Sequence, residues 1–339
     1  MKIVAGLGSV DDYIDYVKAG ADECFCGYVS PEWNEIYGTT RPLNRREVRN
    51  YQVQIGAWEE LKILRSMVDC YGAPVQIAVN ALYYSGEQYK RIAEMIERCS
   101  SIGFDTFIIA DPALFVYLYE EKIPCKIQLS GEFSEINFLM LGKASRVERV
   151  IFHRKNSIAD MKSCIAKCSD RIPEYEAFFL NEMCHFSGAF CNSLHCDEMG
   201  YLCHVPYELG WYDRRQNMLT GIENVVDQER LRVGQEVQRQ NSEKDVENKA
   251  CEEWVNDGYI TGASGCGLCA LYDLADAGIT HLKLVGRGNY SEYMIRDIRQ
   301  AHEALDILEE THPLGRDVYI RRMKDRLFAG ECSHTCYYL

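Results

Sequence analysis

The segment "MCHFSGAFCNSLHCDEMGYLCHVPYEL" gathers the residue types best suited to chemistry in this 339-residue chain. It carries Cys184, Cys191, Cys196 and Cys203, with His185, His195 and His204 between them. Thiolates at this density are poor packing material and good ligands, and soft metals and iron–sulfur clusters are their consumers. The intervals Cys184-x6-Cys191 and Cys191-x11-Cys203 exceed the two-to-four-residue knuckles of structural zinc sites. Spacing therefore favours a cluster over zinc, with free thiols as the remaining reading. Two other pairs, Cys266-x-x-Cys269 and Cys332-x-x-x-Cys336, do have knuckle spacing, which makes Cys269, Cys332 and Cys336 candidates for a second metal site. Cys24 and Cys26 flank Phe25 at period two and share one side of a strand. Cys70, Cys99, Cys125, Cys164 and Cys168 read mainly as buried small apolar residues.

These thiols must be held by a scaffold, and short apolar runs alternating with helical stretches indicate parallel βα units. Eight such runs are legible: "KIVAG" (2–6), "ECFCG" (23–27), "VQIAV" (75–79), "TFIIA" (106–110), "KIQLS" (126–130), "RVIFH" (149–153), "AFFLN" (177–181) and "HLKLV" (281–285). Eight units predict a (β/α)8 barrel, which uses each strand once and leaves no edge. The clearest helix follows a Ser85-x-x-Gln88 capping box, with Ile92, Met95, Ile96 and Cys99 on one face. Ser9-x-x-Asp12 suggests the same start for the first helix. Two long stretches interrupt the alternation, 28–56 and a polar insertion at 211–262 between strands seven and eight. The expected organisation is a barrel over 1–310, including that insertion, followed by a helix and a short Cys-containing tail over 311–339.

A barrel carries its site at the strand C-terminal ends. The residues that close the runs include Asn80, Asp111, Ser130, Glu132, His153, Arg154, Asn181 and Arg287. Any one of them taken alone is more economically a turn or capping residue. As a converging set, Asn80, Asp111, Glu132, Arg154 and Arg287 are the candidates for contact with substrate, and the two arginines are suited to a bidentate carboxylate clamp.

Composition narrows the partners. The formal net charge of −14 opposes binding to a phosphate backbone, and the basic runs "RPLNRREVR" and "IRRMKDR" read as solvated faces, so nucleic acid is not the expected partner. Sixteen cysteines and a first segment without a long apolar stretch point to a reducing, cytoplasmic setting. No run approaches the length of a membrane span.

The motifs resemble the bacterial collagenase-like peptidase family, the "U thirty-two" unassigned peptidases. "GSVDDYIDYVKAGADECFCG" is similar to the family's opening βαβ, "VNAL" and "IIADPAL" to its strand ends, and "LSGEFSEIN" to its LSTQ…N element. "VERVIFHRKNSIADM" resembles its RVVLARELS element, and "CGLCALYDLADAGITHLKLVGRGNYSEY" its DLC…SLKIEGR…Y element. The resemblance covers about 1–204 and 263–305. It implies oxygen-independent hydroxylation rather than proteolysis. The family's best understood branches act on transfer RNA, ribosomal RNA or a ubiquinone precursor, several with a 4Fe-4S cluster and with prephenate or a similar carboxylate implicated as oxygen donor. Position by position, the implied cluster ligands are Cys184, Cys191, Cys203 and Cys266. Three departures stand out: Val285 replaces the Glu after "LKI", Lys155 replaces the Glu of "ARE", and Gly131-Glu132 replace Thr-Gln.

The expected function is an iron–sulfur protein that hydroxylates or otherwise redox-modifies a small or peptidic substrate. One alternative is a non-catalytic, cluster-bearing subunit for a homologous or maturase-like partner. Proteolysis ranks last, because no H-E-x-x-H or G-x-S-x-G motif supplies a mechanism.

Overall fold

The structure is a computed structural model that describes residues 1–38, 41–45, 53–133, 136–142, 146–184, 259–329 and 332–338, with the backbone of 210–213 and 218–221. Two units are distinguished, Met1–Cys203 with Ile260–Leu339, and His204–Tyr259.

The first unit is the expected barrel. Its strands are β1 (Lys2–Leu7), β2 (Glu23–Gly27), β3 (Val75–Val79), β4 (Thr106–Ile109), β5 (Lys126–Leu129), β6 (Val147–Ile151), β7 (Glu174–Leu180) and β10 (His281–Leu284). All pairings are parallel, and the ring closes in the order β1-β10-β7-β6-β5-β4-β3-β2. Every strand read from the sequence is present, β6 and β7 beginning a few residues earlier. In the second unit, β8 (Gly210–Asp213) and β9 (Met218–Gly221) form an antiparallel pair. The rest of the 211–262 insertion, Gly262 and its immediate neighbours apart, lies outside the described residues.

Helices follow the strands for local reasons. Before the insertion the longer ones are α3 (Trp58–Tyr71), α4 (Gly86–Ser101), α5 (Pro112–Glu120) and α7 (Ile158–Cys168), with α1 (Tyr13–Ala19), α2 (Pro31–Tyr37) and α6 (Phe138–Leu141) shorter. After the insertion come α8 (Leu271–Ala277), α9 (Ser291–Thr311) and α10 (Arg316–Phe328). The capping box of α4 forms as expected: the Ser85 N–H donates to Gln88 Oε1 at 2.8 Å, and Ile92, Ile96 and Cys99 face the core. Ser9 instead caps a 3-10 turn over Val10–Asp12, accepting from the Asp11 N–H at 3.3 Å, and α1 begins one residue later.

Strand alternation sorts the side chains. Cys24 and Cys26 point outward into the main apolar core under the helices, while Phe25 points inward with Val4, Ile108, Ile151, Phe178 and Val285 to make an apolar ring inside the barrel. The other thiols depart in part from expectation. Cys99, Cys164 and Cys168 are buried, but Cys125 is half-buried and Cys70 exposed, because Cys70 falls in the last turn of α3, away from its buried stripe of Leu61, Leu64 and Val68.

Below the apolar ring the interior is charged. Arg149 on β6 donates to Glu23 at 2.7 Å, Glu174 at 2.9 Å and Glu176 at 3.0 Å. Lys283 donates to Glu176 at 2.7 Å, Gln76 to Glu23 at 2.8 Å, and His281 Nε2 lies 2.8 Å from an Arg149 nitrogen. Burial alone would raise the Glu23 carboxyl, but the His281 hydrogen bond and the Arg149 charge outweigh it and hold its pKa at about 2. Burial pushes Glu176 the same way, and there Lys283 and Arg149 prevail and keep it an anion.

Candidate functional site

The upper rim of the barrel is built by the residues that follow each strand. Asn181 and Glu182, just after β7, take positive φ values of 68° and 49°, an unusual conformation that turns the chain sharply. It is held from three sides. The Asn181 N–H donates to the Gly265 carbonyl at 2.8 Å, the Met183 N–H to the Ser264 carbonyl at 2.7 Å, and the Asn181 amide to the buried Asp297 of α9 at 2.6 Å. The turn that starts the cysteine-rich segment is thereby fastened to the loop containing Cys266. Cys184 is one residue past Met183 and Cys266 one residue past Gly265.

Cys266 is buried, and its backbone is bracketed by the tail: its N–H donates to the Thr335 carbonyl and its carbonyl accepts from the Tyr337 N–H, both at 2.8 Å. Burial, with Cys269 and Cys336 nearby, pushes the Cys266 thiol up to about 12 against the pull of the Leu268 amide and Ser333. Such a thiol is protonated at neutral pH and inert unless a metal replaces its proton. Burial also raises the Cys269 thiol, with Lys324 opposing and Cys336 and Cys332 adding. Cys269 lies in a 3-10 turn over Leu268–Ala270, before α8 rather than within its first turn. Cys332, Cys336 and Cys269 are all half-buried. Among the described residues no three His, Cys, Asp or Glu side chains are grouped to hold a metal; Cys191 and Cys203 lie outside those residues.

The tail does something the sequence did not signal. Tyr337 packs against the apolar ring of the barrel interior, donates its hydroxyl to the Asn181 carbonyl, and neighbours Arg154, Cys184 and Cys266. Tyr338 donates to the Phe178 carbonyl at 2.6 Å. Gly265, at φ 148°, lies under the Tyr337 ring, where a Cβ would come within 3.0 Å of it. Two aromatics after a Cys-x-x-x-Cys pair carry no pattern that would place them in a barrel mouth.

Arg154 and Arg287 follow different strands. Arg154 follows β6 and Arg287 follows β10, and β7 runs between those strands, so the two arginines stand on strand ends two places apart rather than adjoining. Arg287 is buried, 3.4 Å from Asn44 and with its guanidinium 5.8 Å from the Phe25 ring centre. It fills the space above Gly27, where any Cβ would overlap its guanidinium. Arg154 stacks over Phe178 at 3.8 Å and pairs with Glu132 at 3.4 Å. The remaining rim candidates are engaged in support: Asn80 accepts from the Arg45 N–H at 3.1 Å. Asp111 caps α5 through the Ala113 N–H at 2.8 Å and accepts from the Tyr84 N–H and the Tyr89 hydroxyl, both at 3.1 Å.

Beside the rim, a pocket of about 570 Å³ opens between the start of α7 and the start of α8. Arg154, Lys155, Cys184, Cys269, Arg316 and Tyr337 are in its wall.

A closed parallel barrel with its polar residues at the strand C-terminal ends defines an α/β-barrel protein of the type that carries its active site at that rim. The family model described as Peptidase family U32 matches residues 8–337, and the chain belongs to that family. Among solved structures, the U32 peptidase Mk0906 is 13% identical, with 56% of this chain and 73% of that one covered at a TM-score of 0.42. Dihydrodipicolinate synthase from Oceanobacillus iheyensis is 11% identical, with 99% and 91% covered at a TM-score of 0.35. Comparison with curated proteins gives no match.

Proposed function

We propose that this member of family U32 is an iron–sulfur protein that hydroxylates or otherwise redox-modifies a small or peptidic substrate without molecular oxygen. The observation that carries the reading is the fastening of the Cys184 turn to the Cys266 loop, two thiols 82 positions apart in sequence held at one rim by backbone bonds. Cys184 and Cys266 would hold a 4Fe-4S cluster together with Cys191 and Cys203, an all-thiolate set that suits iron–sulfur ligation. The buried, protonated Cys266 fits that role, since a proton there is exchanged for iron rather than left to water. When bound, the cluster would supply one-electron or Lewis-acid chemistry at the barrel mouth.

The chain's own residues do the remaining work. Tyr337 and the apolar ring beneath it exclude water from the barrel axis, and Glu132 holds Arg154 at the rim. A carboxylate-bearing oxygen donor, prephenate or a similar acid, is the co-substrate that the resemblance implies.

Anaerobic purification with metal and sulfide analysis tests this. About four iron and four sulfide per chain are expected; stoichiometric zinc without sulfide would overturn it. Turnover that appears only when a homologous or maturase-like chain is added would reassign the protein as the cluster-bearing subunit of a pair.

A further inference from the structure

The tail that reaches the barrel mouth brings two thiols to one place. Cys266 and Cys336 are partners in an isolated parallel bridge. It is closed on one side by the Cys266 N–H donating to the Thr335 carbonyl and on the other by the Tyr337 N–H donating to the Cys266 carbonyl, both at 2.8 Å. Paired residues of neighbouring strands stand about 4.8 Å apart and, at matched positions of the pleat, direct their side chains to the same face. A disulfide spans Cα separations of roughly 4.4–6.8 Å, so the pair stands within bridging range. The Cys266 thiol already faces the tail, with a hydrogen bond to Ser333 and Cys336 as an electrostatic neighbour. Cys269 also neighbours Cys336, but it lies in the 3-10 turn past the bridge rather than opposite Cys336. Both bridge thiols are free in the structure, Cys266 buried and Cys336 half-buried.

We propose that Cys266 and Cys336 are a thiol–disulfide pair, a redox-sensitive latch that on oxidation ties the tail to the Cys266 loop and fixes Tyr337 in the barrel mouth. The oxidant is a small disulfide of the glutathione class. The half-buried Cys336 is the thiol that such a molecule reaches: its thiolate attacks one sulfur and releases one glutathione thiolate. Cys266 then attacks the Cys336 sulfur of the mixed disulfide, and its proton leaves with the second glutathione as a thiol. One glutathione disulfide is thereby reduced to two glutathione molecules, and the two protein thiols are oxidised to one disulfide. Burial makes Cys266 a poor nucleophile toward reagents in solvent, but a sulfur held against it by two backbone bonds is reached by proximity. Where Cys266 serves the cluster as proposed above, the disulfide and the cluster compete for it. The latch itself needs no cluster to form.

The test uses the full-length chain, freed of iron by anaerobic chelation, reduced, and then exposed to oxidised glutathione. Remaining thiols are alkylated and the peptides mapped without reduction. The expected product is a peptide pair joined through Cys266 and Cys336, reversed by dithiothreitol and lost in Cys336→Ser, a change at a half-buried tail position whose fold is checked by circular dichroism. A bond from Cys336 to Cys269 or Cys332 instead would overturn the latch, as would stable glutathionylation of Cys336 with Cys266 still alkylated. A second arm loads the reduced chain with iron and sulfide before the oxidant is added. Loss of the Cys266–Cys336 product in the loaded chain is expected if Cys266 is a ligand. A loaded chain that forms the disulfide and keeps its iron, or a reduced chain that binds no iron, would count against the cluster reading, and the peptide map of the iron-free chain decides the latch in either case.

Discussion

Cys266 and Cys269 are three positions apart, yet their surroundings differ. Cys266 is buried, with both backbone polar groups bonded to the tail, so its position is set from two sides. Cys269 is half-buried in a single 3-10 turn and faces the pocket. A cluster ligand has to be both close to its partners and rigidly aimed, and Cys266 meets that demand better. Cys266→Ala should lose the cluster or leave a labile three-iron form, whereas Cys269→Ala should retain full iron. Equal loss from both would point to a second site using Cys269 with Cys332 and Cys336. Loss from Cys269→Ala alone would overturn the assignment of the fourth ligand. The arginines are both engaged: Arg287 is caged by Phe25, Gly27 and Asn44, while Arg154 stacks on Phe178 and pairs with Glu132.

At the scale of the elements, the charged layer inside the barrel makes stability depend on pH. Glu23 has a pKa held at about 2 against an ordinary 4.5. A carboxylate depressed on folding contributes stability that is complete above its unfolded pKa and is lost as pH falls through the folded value. Acid unfolding is therefore expected between about pH 4.5 and pH 2. Removing one partner from a buried ion network is costly, so Glu23→Gln should destabilise the protein at pH 7 by about 3 kcal/mol and flatten the acid limb below pH 4.5. Chemical denaturation followed at several pH values measures both. This layer was not read from the sequence, although Glu23, Arg149, His281 and Lys283 were visible in the apolar runs, and Glu176 lay one residue before the seventh. Alternation said which side each would face, but not that the inward side would hold charges that satisfy one another. The strands themselves were legible because β-branched and aromatic runs at period two have few other homes. The pairing of Cys266 with the tail was not, since it rests on backbone bonds between 266 and 335–337 that no side-chain pattern encodes.

For the whole molecule, net charge decides what it meets. No described helix is long and apolar enough to cross a membrane. At −14 the chain repels polyanions that approach within about a Debye length of its surface, about 8 Å at physiological salt. Transfer RNA should accordingly bind no better than a generic polyanion in filter-binding at physiological salt, and tight base-specific binding would show that local charge prevails over the global balance.

The hydrogen bond from Arg149 to Glu23 joins β6 to β2, strands that stand opposite each other in the ring and 126 positions apart in sequence. A half-barrel containing β6 and β7 would leave Arg149 its bonds to Glu174 and Glu176 but not the one to Glu23 from the opposite wall. Intermediates made of a few adjacent βα units therefore lack the cross-ring bond until the opposite wall arrives. Folding should be cooperative across the full circumference and slow, as contacts of such long range dictate. For the same reason, half-barrel fragments of this chain are poor candidates for independent domains, since only the closed circle brings Glu23 to Arg149.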